Sequence, residues 1–216
     1  YDWLAANGDP RLNILADPSG PAAGNRYGLE NDQLMALYGE TSDSYAKVNP
    51  MITKNDSPWV FLSYAQTALL EAEFAASAGD HSTAEVKYNA GVTAHMQIWG
   101  THYDASLTVD NTAVSAFLSA NPYVAAEGER MIGEQYWAAS FFDFFEGFSN
   151  FRRSGYPELV PFGGHAPHPS TTTNGEIPRR LLYPAGEASV NAVNYQAVLQ
   201  AQGPNTQVTR VWWDVN

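Results

Sequence analysis

The sequence predicts a mainly α fold. A helical hairpin spans residues 57–99, preceded over 1–56 by a loop-rich segment and followed over 100–216 by a helix and loop-rich region. Two observations carry this. Apolar side chains recur at helical spacing on both sides of Gly79-Asp80, and glycine and proline cluster densely outside that stretch. In the first 56 residues Gly8, Pro10, Pro18, Gly20, Pro21, Gly24 and Gly28 punctuate too often for long helices, so this stretch reads as loops with short elements, a short helix fitting 31–38.

In the first arm of the hairpin, residues 57–78, Leu62, Ala65, Leu69, Ala72 and Ala76 share one helix face. Gly79-Asp80 breaks that helix. Ser82 and Glu85 form a Ser-x-x-Glu capping box for the second arm, 82–99, whose stripe is Ala84, Tyr88, Gly91, His95 and Trp99. Two apolar stripes joined by a short turn bury each other. Residues 100–121 read as a connection with a short helix near 113–119. Asn121-Pro122 signals a helix start, with the helix running to about Asn150; Ile132, Tyr136 and Ala139 are its core candidates and Gly128 and Gly133 its weak points. An irregular loop follows from Gly155 to Thr173. A last helix fits 189–201 and stops at Gly203-Pro204, and 208–213 reads as a short strand or an extended tail.

At 216 residues, 44% hydrophobic and 16% charged, the chain has the composition of a globular protein of one large domain or one and a half small ones. Its net charge of −12 argues against a nucleic-acid partner. The charge is uneven: residues 1–150 hold 19 acids and 6 bases, 151–216 hold 4 acids and 5 bases. That pattern reads as a solvated acidic surface, with a cation site as the alternative. Cysteine is absent, which excludes thiol catalysis, thiolate metal sites and disulfides. No apolar run approaches the roughly 18 residues needed to cross a bilayer.

Aromatic rings are the most plentiful binding material: six Trp, twelve Tyr and ten Phe. Those on helix stripes, such as Tyr88, Trp99, Tyr136 and Trp137, are expected in the core. Trp3, Tyr27 and Tyr45 lie in Gly/Pro-rich stretches and are the ligand-binding candidates. His165-x-x-His168 lacks a third ligand of comparable spacing, so no metal is expected, and no cofactor motif is present. His95 reads as a satisfied core histidine. Asp143 and Glu146, three apart on the expected helix, could serve glycoside hydrolysis, but pairing of Glu146 with Arg152 or Arg153 is the favoured role. The doublets Arg152-Arg153 and Arg179-Arg180 sit among Phe151, Tyr156, Leu181 and Tyr183. They are expected to hold the fold through Glu146, Glu187, Asp214 or backbone carbonyls, the alternative being an anion site.

Two resemblances follow from these residues. Ala72, Gly79, Asp80, Ala84, Tyr88 and Gly91 make the hairpin resemble one tetratricopeptide unit, which cannot bury its own apolar face alone. More broadly, Trp137 with Phe145-Glu146, Asn150, Arg152-Arg153, Gly155-Tyr156-Pro157, then Ile177-Pro178-Arg179-Arg180 with Tyr183-Pro184, Glu187, Asn191 and Asn194, and Arg210-Val-Trp-Trp-Asp214, resemble the SusD/RagB family of Bacteroidetes surface nutrient-binding lipoproteins. Asp9-Pro10-Arg11-Leu12 is similar to the start of that family's C-terminal half.

The resemblance implies a SusD-like fold and a catalytically inactive protein of the outer-membrane surface. Such a protein caps a SusC-type TonB-dependent transporter and hands over oligosaccharides, or sometimes peptides, in polysaccharide utilization. Glu146, Arg152, Arg153, Arg179, Arg180 and Glu187 are then fold-holding. The family's N-terminal part, with its lipid anchor, has no counterpart here, and the start at Tyr1 without an initiator Met reads as that of a fragment. A tetratricopeptide-type protein-interaction scaffold and a glycan hydrolase using Asp143 and Glu146 are the competing functions.

Overall fold

The computed structural model describes residues 1–21, 39, 41–159, 173 and 176–214. The short helix expected over 31–38, Tyr27 and the His165–His168 pair lie outside them. The chain divides into two units, Tyr1–Ala139 and Ser140–Asn216. No strand occurs among the described residues.

The first unit is built on the hairpin of α3 (Tyr64–Ser77) and α4 (His81–Ile98), preceded by the short α1 (Asp2–Ala6) and α2 (Leu12–Leu15). Helix α3 begins later than the apolar pattern implies, because Ser63 and Gln66 form the capping box: the Ser63 hydroxyl accepts from Gln66 N, and Gln66 Oε1 accepts from Ser63 N. Leu62 therefore lies outside the helix and is exposed, and Ala76 is only half-buried. At the turn, Gly79 takes φ +79°, a conformation glycine adopts without a Cβ penalty. Asp80 then caps α4 by accepting from Thr83 N at 3.0 Å. The expected Ser82–Glu85 box is thus displaced, because the aspartate next to the turn already supplies the acceptor.

Helix α3 packs on α4 and on α6 (Gly128–Ala139). Ala65, Ala68, Leu69, Ala72 and Ala75 are buried on α3, and Ala84, Tyr88, Val92 and Met96 on α4. Small residues let the two backbones approach. At Gly91 a Cβ would stand 2.6 Å from Leu69 Cγ and 3.1 Å from the Ala65 carbonyl. From α6 come Ile132, Tyr136 and Ala139, as the sequence predicts. The connection after α4 holds α5 (Asn111–Ala120), capped by Asp110 and burying Val114 and Phe117. The N-terminal segment is tied to residues 47–49 by Asp17 N to Lys47 O and Asn49 N to Leu15 O, each 2.8 Å.

The single helix expected over 122–150 is instead interrupted. A 3₁₀ turn at Ala125–Glu127 precedes α6, and the chain breaks at 140–143, where Phe142 takes φ +74°. Asp143 then caps α7 (Phe144–Ser154), accepting from Glu146 N at 3.1 Å. Helix α7 ends at Gly155, whose φ of +78° gives the left-handed stop that favours glycine. The expected last helix is two pieces, α8 (Glu187–Val190) and α9 (Ala192–Gln202), ending at Gly203. Residues 208–213 form turns rather than a strand. Their approach is fixed by Gln207 O, which accepts from Arg179 N and Arg180 N at 2.7 and 3.2 Å.

Candidate functional site

Of the three ligand candidates, Tyr27 is outside the described residues. Tyr45 is 5% exposed, so it offers no open ring face for stacking and belongs to the core. It directly follows the 3₁₀ turn Ser42–Ser44, and a loop side chain can still face inward. Trp3 is half-buried and meets Trp137 edge to face, with ring centroids 6.0 Å apart. It remains a partly open aromatic of the first unit.

Beneath Trp3 lies a polar network. The Arg11 guanidinium sits 6.0 Å from the Trp3 ring and is fully buried. It pairs with the equally buried Asp9 carboxylate: Nε donates to Oδ1 at 2.9 Å, and Nη2 also reaches Oδ2. Nη2 donates to Gln135 Oε1 and Nη1 meets His95 Nδ1, both at 2.7 Å. A guanidinium only donates, so His95 Nδ1 carries the lone pair and the imidazole is neutral. Burial first, and the Arg11 charge second, hold its pKa well below the usual value. Burial likewise pushes the Tyr88 hydroxyl up to about 12. Each of the three guanidinium nitrogens meets an acceptor, and Arg11 itself is closed to solvent, so this network ties Asp9 and Arg11 to α4 and α6 rather than contacting a ligand. His95 is, as expected, a satisfied core histidine.

In the second unit the arginine doublets are partnered. Arg152 lies between Phe148 and Trp213, at 4.2 and 4.5 Å, and donates to the Arg179 carbonyl at 2.9 Å. Burial lowers its pKa, partly offset by Asp214. Arg179 donates to Asp214 Oδ1 at 3.1 Å and lies over Phe151; Arg210 shares the same oxygen at 3.2 Å. The buried Arg180 covers Tyr183 and donates to the Leu181 carbonyl at 3.0 Å. Arg153 donates to Asn150 Oδ1 at 3.2 Å. Glu146 stands half-buried in the first turn of α7. Glu187, one of the alternative partners, accepts from Asn191 Nδ2 at 3.2 Å, one helical turn on, while Asp214 and backbone carbonyls take Arg179, Arg152 and Arg180.

Asp143 and Glu146 do not form a facing pair on one helix. Asp143 precedes α7 and its carboxylate is committed to the cap. Among the described residues no group of three His, Asp or Glu could hold a metal ion, and no helix is long and apolar enough to cross a membrane. The most open aromatics among the described residues of the first unit are not ones that the sequence singles out. Trp59 and Phe61 are 71% and 84% exposed, and Tyr64 and Phe74 are also open. Helical periodicity draws residues 59–62 into the helix, whereas Pro58 and the Ser63 cap mark them as an entry segment.

Against known proteins, residues 1–184 match the SusD-like family described as "Starch-binding associating with outer membrane". Among solved structures, a chitin-binding protein is 31% identical, with a TM-score of 0.80 over 100% of this chain and 49% of its own. A Bacteroidetes SusD-like protein, AC2a, is 22% identical at TM-score 0.76, over 100% of this chain and 52% of its own. A chitin-binding SusD homolog from Flavobacterium johnsoniae is 22% identical at TM-score 0.65, over 99% of this chain and 48% of its own. The chain thus spans about half the length of these structures. None of the curated proteins matches it. With the family match covering most of the sequence and the helical fold shared throughout, the chain belongs to the SusD-like family.

Proposed function

We infer that this chain serves a non-catalytic carbohydrate-binding protein at the outer-membrane surface, one that holds oligosaccharide and passes it to a SusC-type TonB-dependent transporter. The family match over residues 1–184 carries the reading, since that family is described by starch binding and outer-membrane association. The 31% identical chitin-binding structure supports a glycan ligand. Open aromatics support it independently, because flat rings stack on sugar faces at small entropic cost. The committed cap carboxylate of Asp143 speaks against the hydrolase alternative, since a glycosidase pair needs both carboxyl groups directed at the substrate.

The test is a depletion assay with the full chain on insoluble chitin and insoluble starch, with crystalline protein-free controls. Retention on at least one polysaccharide that soluble oligosaccharide reverses supports the reading. Passage through both, with retention of an unrelated protein partner instead, would favour the scaffold function.

A further inference from the structure

Helix α4 does not end in an ordinary turn. Residues Trp99–Tyr103 continue it as a wide π-type turn, a feature frequent at functional sites. This turn brings Gly100 onto Thr108: a Cβ there would lie 2.4 Å from Thr108 Oγ1 and 2.7 Å from Thr108 Cα. Glycine is what lets the 108–111 segment fold back so closely. A depression of about 300 Å³ lies between them. That volume is at the low end of the roughly 300–1,000 Å³ of small-molecule sites, enough for a sugar unit rather than a chain.

The lining joins Gly100 and Val109 to the polar side chains of Gln97, Thr101, Asp110 and Asn111. Gln97 Nε2 donates to Asn111 Oδ1 at 3.0 Å, and both side chains are exposed. This pairing uses one donor and one acceptor. Gln97 Oε1 is left to accept and Asn111 Nδ2 to donate. Turning both amides over exchanges the labels but leaves the same result, one open donor and one open acceptor on a linked amide pair. The rest of the wall accepts: Thr101 Oγ1 already donates to the Gln97 carbonyl at 2.9 Å, so its lone pairs remain. Asp110 accepts from Thr112 N at 2.7 Å, and its bonds to Thr112 keep the carboxylate charged by lowering its pKa.

A vicinal diol answers this arrangement. One hydroxyl donates to the amide oxygen, its neighbour accepts from the amide N–H, and further hydroxyl protons meet Thr101. An anion does not fit, because Asp110 repels it and no cation lines the depression. We propose that this depression is a binding site for a neutral hexose unit, held through adjacent hydroxyls by Gln97 and Asn111. The proposal rests on the carbohydrate-binding reading and adds a location and a ligand chemistry: a glucan exposing a 2,3-diol is preferred over a 2-acetamido glucan, in which one of those hydroxyls is replaced.

The test is a nitrogen-edited NMR titration of the full chain with maltotriose and, separately, triacetylchitotriose. The expected result is that maltotriose shifts the side-chain amide signals of Gln97 and Asn111 and the backbone of residues 100–111. Gln97→Ala and Asn111→Ala, both at exposed positions, should each weaken that binding several-fold and together at least about tenfold, the equivalent of two lost hydrogen bonds. Unchanged melting temperatures would show that the variants stay folded. Maltotriose binding with shifts only elsewhere, affinity untouched in the double variant, or equal response to triacetylchitotriose would overturn this site while leaving carbohydrate binding intact. Absence of binding by either sugar, with chitin and starch retention also absent, would overturn both readings.

Discussion

Replacing Arg11 with Met tests the buried network most sharply. Met fills much of the volume but removes the partners of three groups at once. Asp9, whose side chain is inaccessible to solvent, keeps only the Arg11 backbone N–H at 2.9 Å; His95 Nδ1 and Gln135 Oε1 each lose a donor at 2.7 Å. Breaking a buried pair from one side costs about 3–5 kcal/mol, because the remaining charge stays buried without compensation. A domain of this size has a total stability of about 5–15 kcal/mol, so the variant should be folded but far weaker. Urea unfolding followed by circular dichroism reads this as a fall in midpoint at constant slope. The double variant Asp9→Asn/Arg11→Met removes the stranded charge and should recover about 2 kcal/mol or more of the loss, a coupling that contacting residues show. A cost under about 1 kcal/mol for Arg11→Met, or no recovery in the double variant, would mean that Arg11 does not compensate a buried Asp9 charge.

Other outcomes follow from the same structure. Gly91→Ala should destabilise by about 1–3 kcal/mol in the same unfolding assay, since its Cβ meets Leu69 Cγ at 2.6 Å in a closely packed hairpin. Leu69→Ala, fully buried, should cost about 2–5 kcal/mol through the cavity it leaves. Because His95 is held neutral below its usual pKa, the stability it contributes is complete above about pH 6.5 and falls as pH drops below that, by up to about 1.4 kcal/mol per pH unit; His95→Gln should flatten that acid limb in a melting-temperature series. Asp143→Ala should cost about 0.5–2 kcal/mol as a lost cap while leaving oligosaccharide affinity unchanged, as measured by fluorescence titration.

The hairpin was legible because Leu69, Ala72, Tyr88 and Gly91 repeat at helical spacing around a Gly-Asp turn, a local pattern. The break between α6 and α7 was not, because Phe141 and Phe142 continue the apolar rhythm straight through it. Asp143, three residues before Glu146, was the one local signal of a new helix start. The buried network escaped for a different reason. Arg11 meets His95 and Gln135 across 84 and 124 residues of sequence, and pairing over such distances leaves no periodic trace. Its residues nonetheless carried a hint: an arginine next to Asp9-Pro10 and a histidine on a core stripe both need partners. Among the ligand candidates, loop setting alone misjudged Tyr45, because a loop side chain can still face inward. It also passed over Trp59 and Phe61, whose exposure depends on where the Ser63 cap starts α3.

Binding of oligosaccharide without turnover is read directly by one combined measurement: calorimetric titration of the full chain with chitin and starch oligosaccharides, followed by chromatography of the same samples after prolonged incubation. Saturable heat is expected with at least one series, with the oligosaccharides recovered at their original length. Shortened products that disappear in Asp143→Asn, or no heat with either series, would overturn binding without turnover.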